Sequence, residues 1–227
     1  MEENNFGRNT LKLISDLKER GINRFSVIMR HSARHYDREN PQTEPFQGLT
    51  EEGKEYAYNL GKGIPRDLTI RLFSSTFGRC IETAYLIDKG FTAMGGSTIN
   101  NTINIKLAPS YVKKPYSLAK IMREEIPDFV RYWFEGNIST DIIDSMDNAA
   151  IEIVGFLVDE LKELPENHVN ITISHDWNMY LIKEHFLDLK HEAAGKVEYL
   201  EGAVIYKEND KVYMAHHQCE PGILELS

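Results

Sequence analysis

The sequence predicts a three-layer α/β/α domain with a mainly parallel central sheet. Short apolar, β-branched segments at 24–29, 68–75 and 168–174 alternate with helical patterns. Each of these segments is nearly continuous in its apolar character, as strands buried on both faces are. The chain of 227 residues is long enough for one sizeable core. We therefore expect a single domain over residues 1–227.

The first half of the chain adds three helices to two of these strands. In 10–20 the apolar residues recur at helical spacing, and a glycine follows directly. A helix over 49–65 begins well, because Thr50 can cap it and two glutamates stand at the positive end of its dipole. A third helix, over 77–90, is expected to end at Gly90.

The second half has a less regular pattern at its start. Residues 97–107 alternate apolar and polar side chains, which favours a strand. Prolines and aromatic residues interrupt the pattern over 106–147, and we predict a partly helical insertion over the sheet. Beyond it we expect a helix over 148–163, a helix over 177–187 and a terminal hairpin over 199–217.

Composition excludes several classes of function. The net charge is −9, and a large polyanion such as nucleic acid or an acidic membrane surface would require a basic face. Two cysteines are too few for a disulfide framework. The N-terminus lacks the layout of a secretory signal, and we expect a cytoplasmic protein without a membrane span. A local basic cluster on this acidic chain suggests a small anionic ligand.

Charged and polar groups follow each of the three apolar strands predicted over 24–29, 68–75 and 168–174. In a parallel sheet the carboxyl ends of neighbouring strands meet at one edge, where ligands bind. Six groups separated in the sequence are therefore expected to converge, namely Arg30, His31, Arg34, Arg79, His175 and Asp176.

This set of residue types suits phosphoryl chemistry. Arginine forks match phosphate oxygens, so Arg30, Arg34 and Arg79 can neutralise a phosphoryl group. Nearby cations keep a histidine neutral, and a neutral imidazole whose other N–H is anchored can attack phosphorus. We predict that His31 is the nucleophile and that His175 donates to the phosphoryl oxygens.

The leaving alkoxide needs a proton, and the sequence leaves its donor open. Asp176 is the nearest acidic candidate, although Asp at this place could instead cap the following helix. Glu82 lies three residues after Arg79, on the same face of its helix. Glu124 and Glu125, in the insertion, are further candidates.

The segment "RHSAR" at 30–34 resembles the signature of the histidine phosphatase superfamily, which has a phosphoglycerate-mutase-like fold. "LTEEGKEYAYNLG", "LFSSTFGRCIETA" and "ITISHDWNM" are similar to later motifs of that family, in the same order, over about 24–206. The resemblance implies a phosphorylated His31, a phosphate pocket of three arginines and His175, and no metal. The His-Asp pair resembles the acid-phosphatase branch, in which the aspartate is the proton donor. Ser32 stands where the family has glycine.

Other functions remain open at this point. A phosphomutase would return the phosphoryl group to a substrate, and a non-catalytic protein could use the arginines only to bind phosphorylated ligands. A metal site at His216, His217 and Cys219 is a weaker alternative, because the spacing fits no common zinc pattern.

The substrate is not identified by the sequence. Specificity should depend on 35–48 and on 106–147, as a cap over the site. Two sets of side chains could contact the rest of the substrate there. Lys113, Lys114 and Arg38 could bind a second anionic group, whereas an aromatic pocket could be formed by Tyr36, Tyr111, Tyr116 and Trp133.

Overall fold

The computed structural model describes residues 6–226 apart from 38, 40–42, 44–45 and 125. Its helices are α1 Arg8–Glu19, α2 Glu51–Gly63, α3 Gly78–Ala93, α4 Pro115–Met122, α5 Phe129–Phe134, α6 Met146–Lys162, α7 Asp176–Leu187 and α8 His191–Ala194. Its strands are β1 Phe25–Arg30, β2 Thr69–Ser74, β3 Ser97–Ile103, β4 His168–Ser174, β5 Gly202–Glu208, β6 Lys211–His216 and β7 Cys219–Ile223. Among the described residues, no helix is both long and apolar enough to cross a membrane.

The strands form one sheet in the order β3-β2-β4-β1-β5-β6-β7. The first four in this order are parallel to one another, and β5, β6 and β7 pair antiparallel. Arg30 is in register with Ser174, and Ser74 with Ile173, so three parallel strands end together. The prediction of a mainly parallel sheet is confirmed, and the predicted strands lie within one residue of β1, β2 and β4.

Helices cover both faces of the sheet, and each face has its own apolar core. Val27 and Met29 of β1 face α1, α2 and α3, whereas Ile28 faces α6, α7 and the insertion. Side chains on a strand alternate between the faces, so one apolar strand can serve both cores. The three-layer architecture is therefore confirmed.

The prediction that the third helix ends at Gly90 is wrong, because α3 continues to Ala93. A Cβ atom on Gly90 would lie 2.0 Å from the carbonyl oxygen of Tyr58 in α2. A Cβ atom on Gly61 would lie 2.2 Å from the carbonyl oxygen of Ile87 in α3. These glycines allow the two helix backbones to touch, and Gly90 does not stop its helix.

Residues 106–147 contain α4 and α5 and share the core of α6 and α7. The ring of Phe129, the first residue of α5, stacks on Trp177 with 5.6 Å between centroids. The insertion thus packs against the first turn of α7. That it caps the site stays a prediction.

One strand was not predicted. β7 contains Pro221 and Gly222, two residues that are uncommon in strand interiors, and it lies at the edge of the sheet. An edge strand tolerates both, since only one of its sides is paired with a neighbour.

Candidate active site

His31 follows β1 directly, and its backbone N–H donates to the carbonyl oxygen of Ser174 at 3.0 Å. Its ring Nδ1 lies 2.8 Å from the carbonyl oxygen of Ser32, so Nδ1 carries the proton. Nε2 then has its lone pair free to accept from Nε of Arg79, at 3.0 Å. Burial, followed by the charge of Arg79, lowers the pKa of His31 well below 6.5. At neutral pH this ring is therefore uncharged, and its N–H is anchored to the backbone.

His175 lies beside this pair, immediately after β4. Its Nδ1 lies 3.4 Å from Nη2 of Arg79, and its Nε2 lies 2.9 Å from the hydroxyl of Ser75. Burial, followed by the charges of Arg79, Arg34 and Arg30, lowers the pKa of His175 to about 3. The arginines therefore help to keep the histidine neutral, as predicted, although burial lowers its pKa more than their charges do.

The hydrogen bonds of His175 suit a role different from the predicted one. Because Arg79 donates to Nδ1, the neutral ring carries its proton on Nε2 and donates it to Ser75. Both ring nitrogens of His175 thus have protein partners. In this arrangement His175 orients Arg79, and direct donation to a phosphoryl oxygen stays a prediction.

Arg30 ends β1, and three groups surround its guanidinium. Nη1 donates to the carbonyl oxygen of Val197 at 2.7 Å, and Nη2 lies 3.2 Å from Oδ2 of Asp176. The ring of Tyr199 lies 4.1 Å from the guanidinium carbon and 6.0 Å, between centroids, from the ring of His31. Tyr199 thus lies against both the arginine and the histidine. The buried Nε of Arg30 has no hydrogen-bond partner among the described residues.

Asp176 is the first residue of α7, and His175 occupies the N-cap position. The alternative that Asp176 is the N-cap residue is therefore wrong. The helix begins at Asp176, one residue earlier than predicted, so the N-cap is His175. Oδ1 of Asp176 accepts from the backbone N–H of Trp177 at 2.9 Å. The carboxylate is 39% exposed, and its Oδ2 faces Arg30. The carboxylate is thus open to solvent on one side and faces Arg30 on the other.

Arg34 is held in the loop that follows β1. Nη1 donates to Oε1 of Gln47 at 3.0 Å and to the carbonyl oxygen of His35 at 3.1 Å. The guanidinium lies 5.0 Å from the ring centroid of Tyr36. Its charge contributes to the low pKa of His175. Arg34 is thus near the other groups, and these two hydrogen bonds join it to residues of its own loop.

Ser32 fits without strain where the related motif has glycine. Its φ is not among the positive values in the described chain. The hydroxyl donates to the carbonyl oxygen of Gly53 at 2.6 Å, and the backbone N–H donates to Oγ1 of Thr83 at 3.1 Å. A Cβ atom on Gly53 would lie 2.0 Å from the carbonyl oxygen of Ala33. The turn that carries His31 is therefore pressed onto α2 and bonded to α3.

The rival acids have other surroundings. Oε2 of Glu82 accepts from the backbone N–H of Leu49 at 3.0 Å and so fixes the loop before α2. Glu124 is exposed, just beyond α4. Glu125 lies outside the described residues.

Of the side chains predicted to contact the rest of the substrate, some are buried in the core and others are exposed. Tyr111 and Trp133 are both 2% exposed, so these two belong to the core, and the prediction that they line a pocket is wrong. Tyr36 and Tyr116 are exposed. Nζ of Lys113 lies 2.5 Å from Oδ1 of Asp144, and Lys114 is exposed at the start of α4. Arg38 lies outside the described residues.

A group of potential metal ligands does lie near the C-terminal strands, but it differs from the predicted set of His216, His217 and Cys219. Potential ligand atoms of Glu201, His216 and His217 lie within 4.8 Å of one another, and Cys219 is not in this group. Nζ of Lys183 lies 2.7 Å from Oε1 of Glu201. An ammonium group at that distance occupies the place of a cation, so these residues do not fit a metal.

Three groups at the site were missed by the sequence argument. Ser75 contacts His175, whereas Val197 and Tyr199 contact Arg30. Ser75 belongs to the quoted motif "LFSSTFGRCIETA", which signals it in retrospect. Val197 and Tyr199 lie in the irregular segment before β5. The predicted hairpin had placed Tyr199 in its first strand, whereas β5 begins at Gly202.

Comparison with known proteins adds information about the fold. No protein-family model matches the sequence, and no curated protein matches it. Among solved structures, mycobacterial glucosyl-3-phosphoglycerate phosphatase is 14% identical, with a TM-score of 0.59 over 88% of this chain and 96% of that one. YhfR of Bacillus stearothermophilus is 20% identical, with a TM-score of 0.56 over 85% and 95%.

A further similar structure is a phosphoserine phosphatase mutant from Entamoeba histolytica in complex with phosphoserine. It is 12% identical, with a TM-score of 0.51, and the match covers 88% of this chain and 95% of that one. At such identities the likeness concerns the fold, and it extends over nearly the whole length of each of these proteins. The structural likeness agrees with the resemblance of the sequence motifs, and this chain has a phosphoglycerate-mutase-like fold.

Proposed function

We propose that this protein is a metal-independent phosphatase that hydrolyses a small phosphomonoester through a phosphohistidine intermediate on His31. One observation carries the proposal, namely the state of the His31 ring. Its N–H is bound to a backbone carbonyl group, and its other nitrogen faces the guanidinium of Arg79. Two of the similar structures are described as phosphatases, which supports the general class.

In the first step the phosphoryl group of the substrate binds among the arginines. Its oxygens take over the N–H groups of Arg79, which releases Nε2 of His31. A bond then forms from Nε2 to phosphorus as the ester P–O bond breaks. Asp176 protonates the leaving alkoxide. We assign this role to Asp176 because its partly exposed carboxylate lies 3.2 Å from Arg30, one of the arginines proposed to bind phosphate, whereas the carboxylate of Glu82 binds the loop before α2.

In the second step a water molecule attacks the phosphohistidine. Asp176, now a carboxylate, takes a proton from this water, the N–P bond breaks, and inorganic phosphate leaves. Nε2 recovers its lone pair and the original hydrogen bond from Arg79. The arginines hold the phosphoryl oxygens in both steps, so the charge that develops has fixed donors throughout.

The test is hydrolysis of p-nitrophenyl phosphate in excess EDTA. We expect turnover by the natural protein and a loss of at least about a thousandfold in kcat for His31→Ala, since the nucleophile is removed. Acid quenching with phosphorus-labelled substrate should trap label on the natural protein and not on the variant.

His168→Ala is the matched control, because this histidine lies at the opposite end of β4 and its ring Nδ1 lies 2.9 Å from the carbonyl oxygen of Glu166, two residues earlier. Its turnover should equal that of the natural protein. Activity that requires added metal, or activity that survives in His31→Ala, would contradict the mechanism. Tight phosphate binding without turnover of a broad phosphomonoester panel would favour a binding protein instead.

A further inference from the structure

A buried charged cluster lies outside the proposed chemistry. Lys183 of α7, Glu201 before β5 and His216 of β6 are 1%, 7% and 1% exposed. Nζ of Lys183 lies 2.7 Å from Oε1 of Glu201, and Nε2 of His216 lies 3.1 Å from the same oxygen. The backbone N–H of Gln218 faces Nδ1 of His216, so Nε2 of that ring is the donor to Glu201.

The second oxygen of Glu201 binds its own segment. Oε2 accepts from the backbone N–H of Glu198 at 2.7 Å. Burial raises the pKa of Glu201, but the hydrogen bonds from His216, Glu198 and Lys183 outweigh it and lower that pKa to about 2. The carboxylate is therefore ionised at neutral pH and accepts on both oxygens. It closes residues 198–201 into a turn, in which Leu200 has a positive φ of 59°.

This turn lies against Arg30. The backbone N–H of Arg30 donates to the carbonyl oxygen of Glu201 at 3.0 Å, and the backbone N–H of Leu200 donates to the carbonyl oxygen of Arg30 at 3.1 Å. Two contacts of the guanidinium come from the same segment, the carbonyl oxygen of Val197 and the ring of Tyr199. Its third contact, Asp176, is on α7, the helix that also carries Lys183.

We propose that the Lys183–Glu201–His216 cluster positions Arg30 for phosphate by fixing the turn that holds its guanidinium. Glu201 touches neither the proposed substrate nor His31, and it acts through Val197 and Tyr199. A buried ion pair is weak evidence for a contribution to stability, because desolvation offsets its attraction. A role in positioning Arg30 explains why charged side chains are buried in this cluster. The inference rests on the proposed phosphate site.

Glu201→Gln is the first variant, since it preserves volume. The amide has a single acceptor oxygen, so its NH₂ group must face either Lys183 and His216 or the N–H of Glu198. The turn is then displaced, and Arg30 with it. We expect the affinity for inorganic phosphate, measured by titration calorimetry, to fall about tenfold, a coupling of ordinary size between neighbouring groups.

A second variant allows the same test if Glu201→Gln fails to fold. Lys183→Met with Glu201→Leu replaces the ion pair by apolar groups, an exchange that proteins often tolerate. It lacks an acceptor for Glu198, so phosphate affinity should fall by a similar factor.

The decisive measurement repeats both changes in an Arg30→Ala background. If the cluster acts through Arg30, each change should alter phosphate affinity by less than about twofold there, because the group it positions is already gone. Losses in affinity as large as in the natural background would overturn the inference, as would unchanged affinity in Glu201→Gln.

Glu160→Gln supplies the matched control. Glu160 pairs with Arg71 at 2.7 Å between α6 and β2, and this pair is partly buried. Its loss should leave phosphate affinity unchanged. Natural protein that binds phosphate but hydrolyses nothing contradicts the proposed hydrolysis alone, whereas natural protein that does not bind phosphate overturns both proposals.

Discussion

The position of the proton on each histidine decides what that residue can do. His31 has its proton on Nδ1, bound to the carbonyl oxygen of Ser32, and so presents Nε2. His175 has its Nδ1 towards Arg79 and its Nε2 towards Ser75. Two neutral imidazoles at 5.7 Å between ring centroids thus differ in their free atoms, and this difference suits the nucleophilic role proposed for His31 and a supporting role for His175.

The variant Asp176→Asn distinguishes two roles of Asp176, donation of a proton to the leaving group and orientation of Arg30. As proton donor, Asp176 matters for a poor leaving group and little for p-nitrophenolate, which leaves without a proton. We expect kcat to fall about a hundredfold or more for an alkyl phosphate and by less than about tenfold for p-nitrophenyl phosphate. Rapid-mixing measurements of the phosphorylation step on both substrates test this.

Equal losses on the two substrates would mean that Asp176 only orients Arg30. Asp67→Asn is the control, because Asp67 also pairs with a cation, Lys18, on the surface. It should change neither rate.

Among the elements, the contact of α2 with α3 fixes the site most directly. α2 presses on the turn after β1 through Gly53, and α3 supplies Arg79 and the hydroxyl of Thr83. The close approach at Gly61 and Gly90 brings these two helices together. A change at this contact should therefore alter both stability and catalysis.

Gly90→Ala should destabilise the protein by about 2 kcal/mol or more, because its methyl group overlaps a backbone carbonyl group of α2 that cannot move alone. The free energy of unfolding in urea measures this. Gly155→Ala, in the middle of α6, is the matched control. A Cβ atom there meets none of the described residues within 4 Å, so we expect a gain of about 0.5–1 kcal/mol. Equal effects of the two substitutions would contradict the assigned contact.

Across the whole molecule, burying a site of cations and neutral histidines affects stability. The turns after three parallel strands bring the groups together at one edge of the sheet. Water is largely excluded from His31 and His175, which are 2% and 3% exposed. Their pKa values are low mainly because of this burial.

Stability should therefore fall as the pH falls below about 6.5. Both histidines take up a proton there in the unfolded chain, whereas His175 in the folded protein does so only near pH 3. The unfolded state thus binds more protons, and acid favours it. Between pH 7 and pH 5 we expect a loss of about 2 kcal/mol for each of the two histidines.

Urea unfolding at the two pH values measures this dependence. His175→Gln should remove about half of it, since one of the two groups is gone. A pH dependence unchanged in that variant would show that His175 is not held neutral by the fold.

The sequence alone predicted the fold class, the main strands and six groups at the carboxyl ends of those strands. It did so because apolar periodicity is local and because parallel strands share one direction. It failed at Gly90, at β7 and at Tyr111 and Trp133. At Gly90, Tyr111 and Trp133 a contact between separate segments determined the outcome, and local pattern carries no information about such contacts. At β7 the pairing with the adjacent β6 outweighed the low strand propensity of Pro221 and Gly222.

The sequence by itself determined that His31 directly follows a buried strand and has Arg30 and Arg34 on either side of it. It also determined that Arg79 lies in the first turn of the helix after β2. Only the tertiary structure decided which nitrogen of His31 is free, that His175 supports Arg79, and which groups hold Arg30. Proton positions follow from hydrogen-bond partners, and those partners come from segments up to 167 residues apart. Distances between such segments exist only in the folded chain.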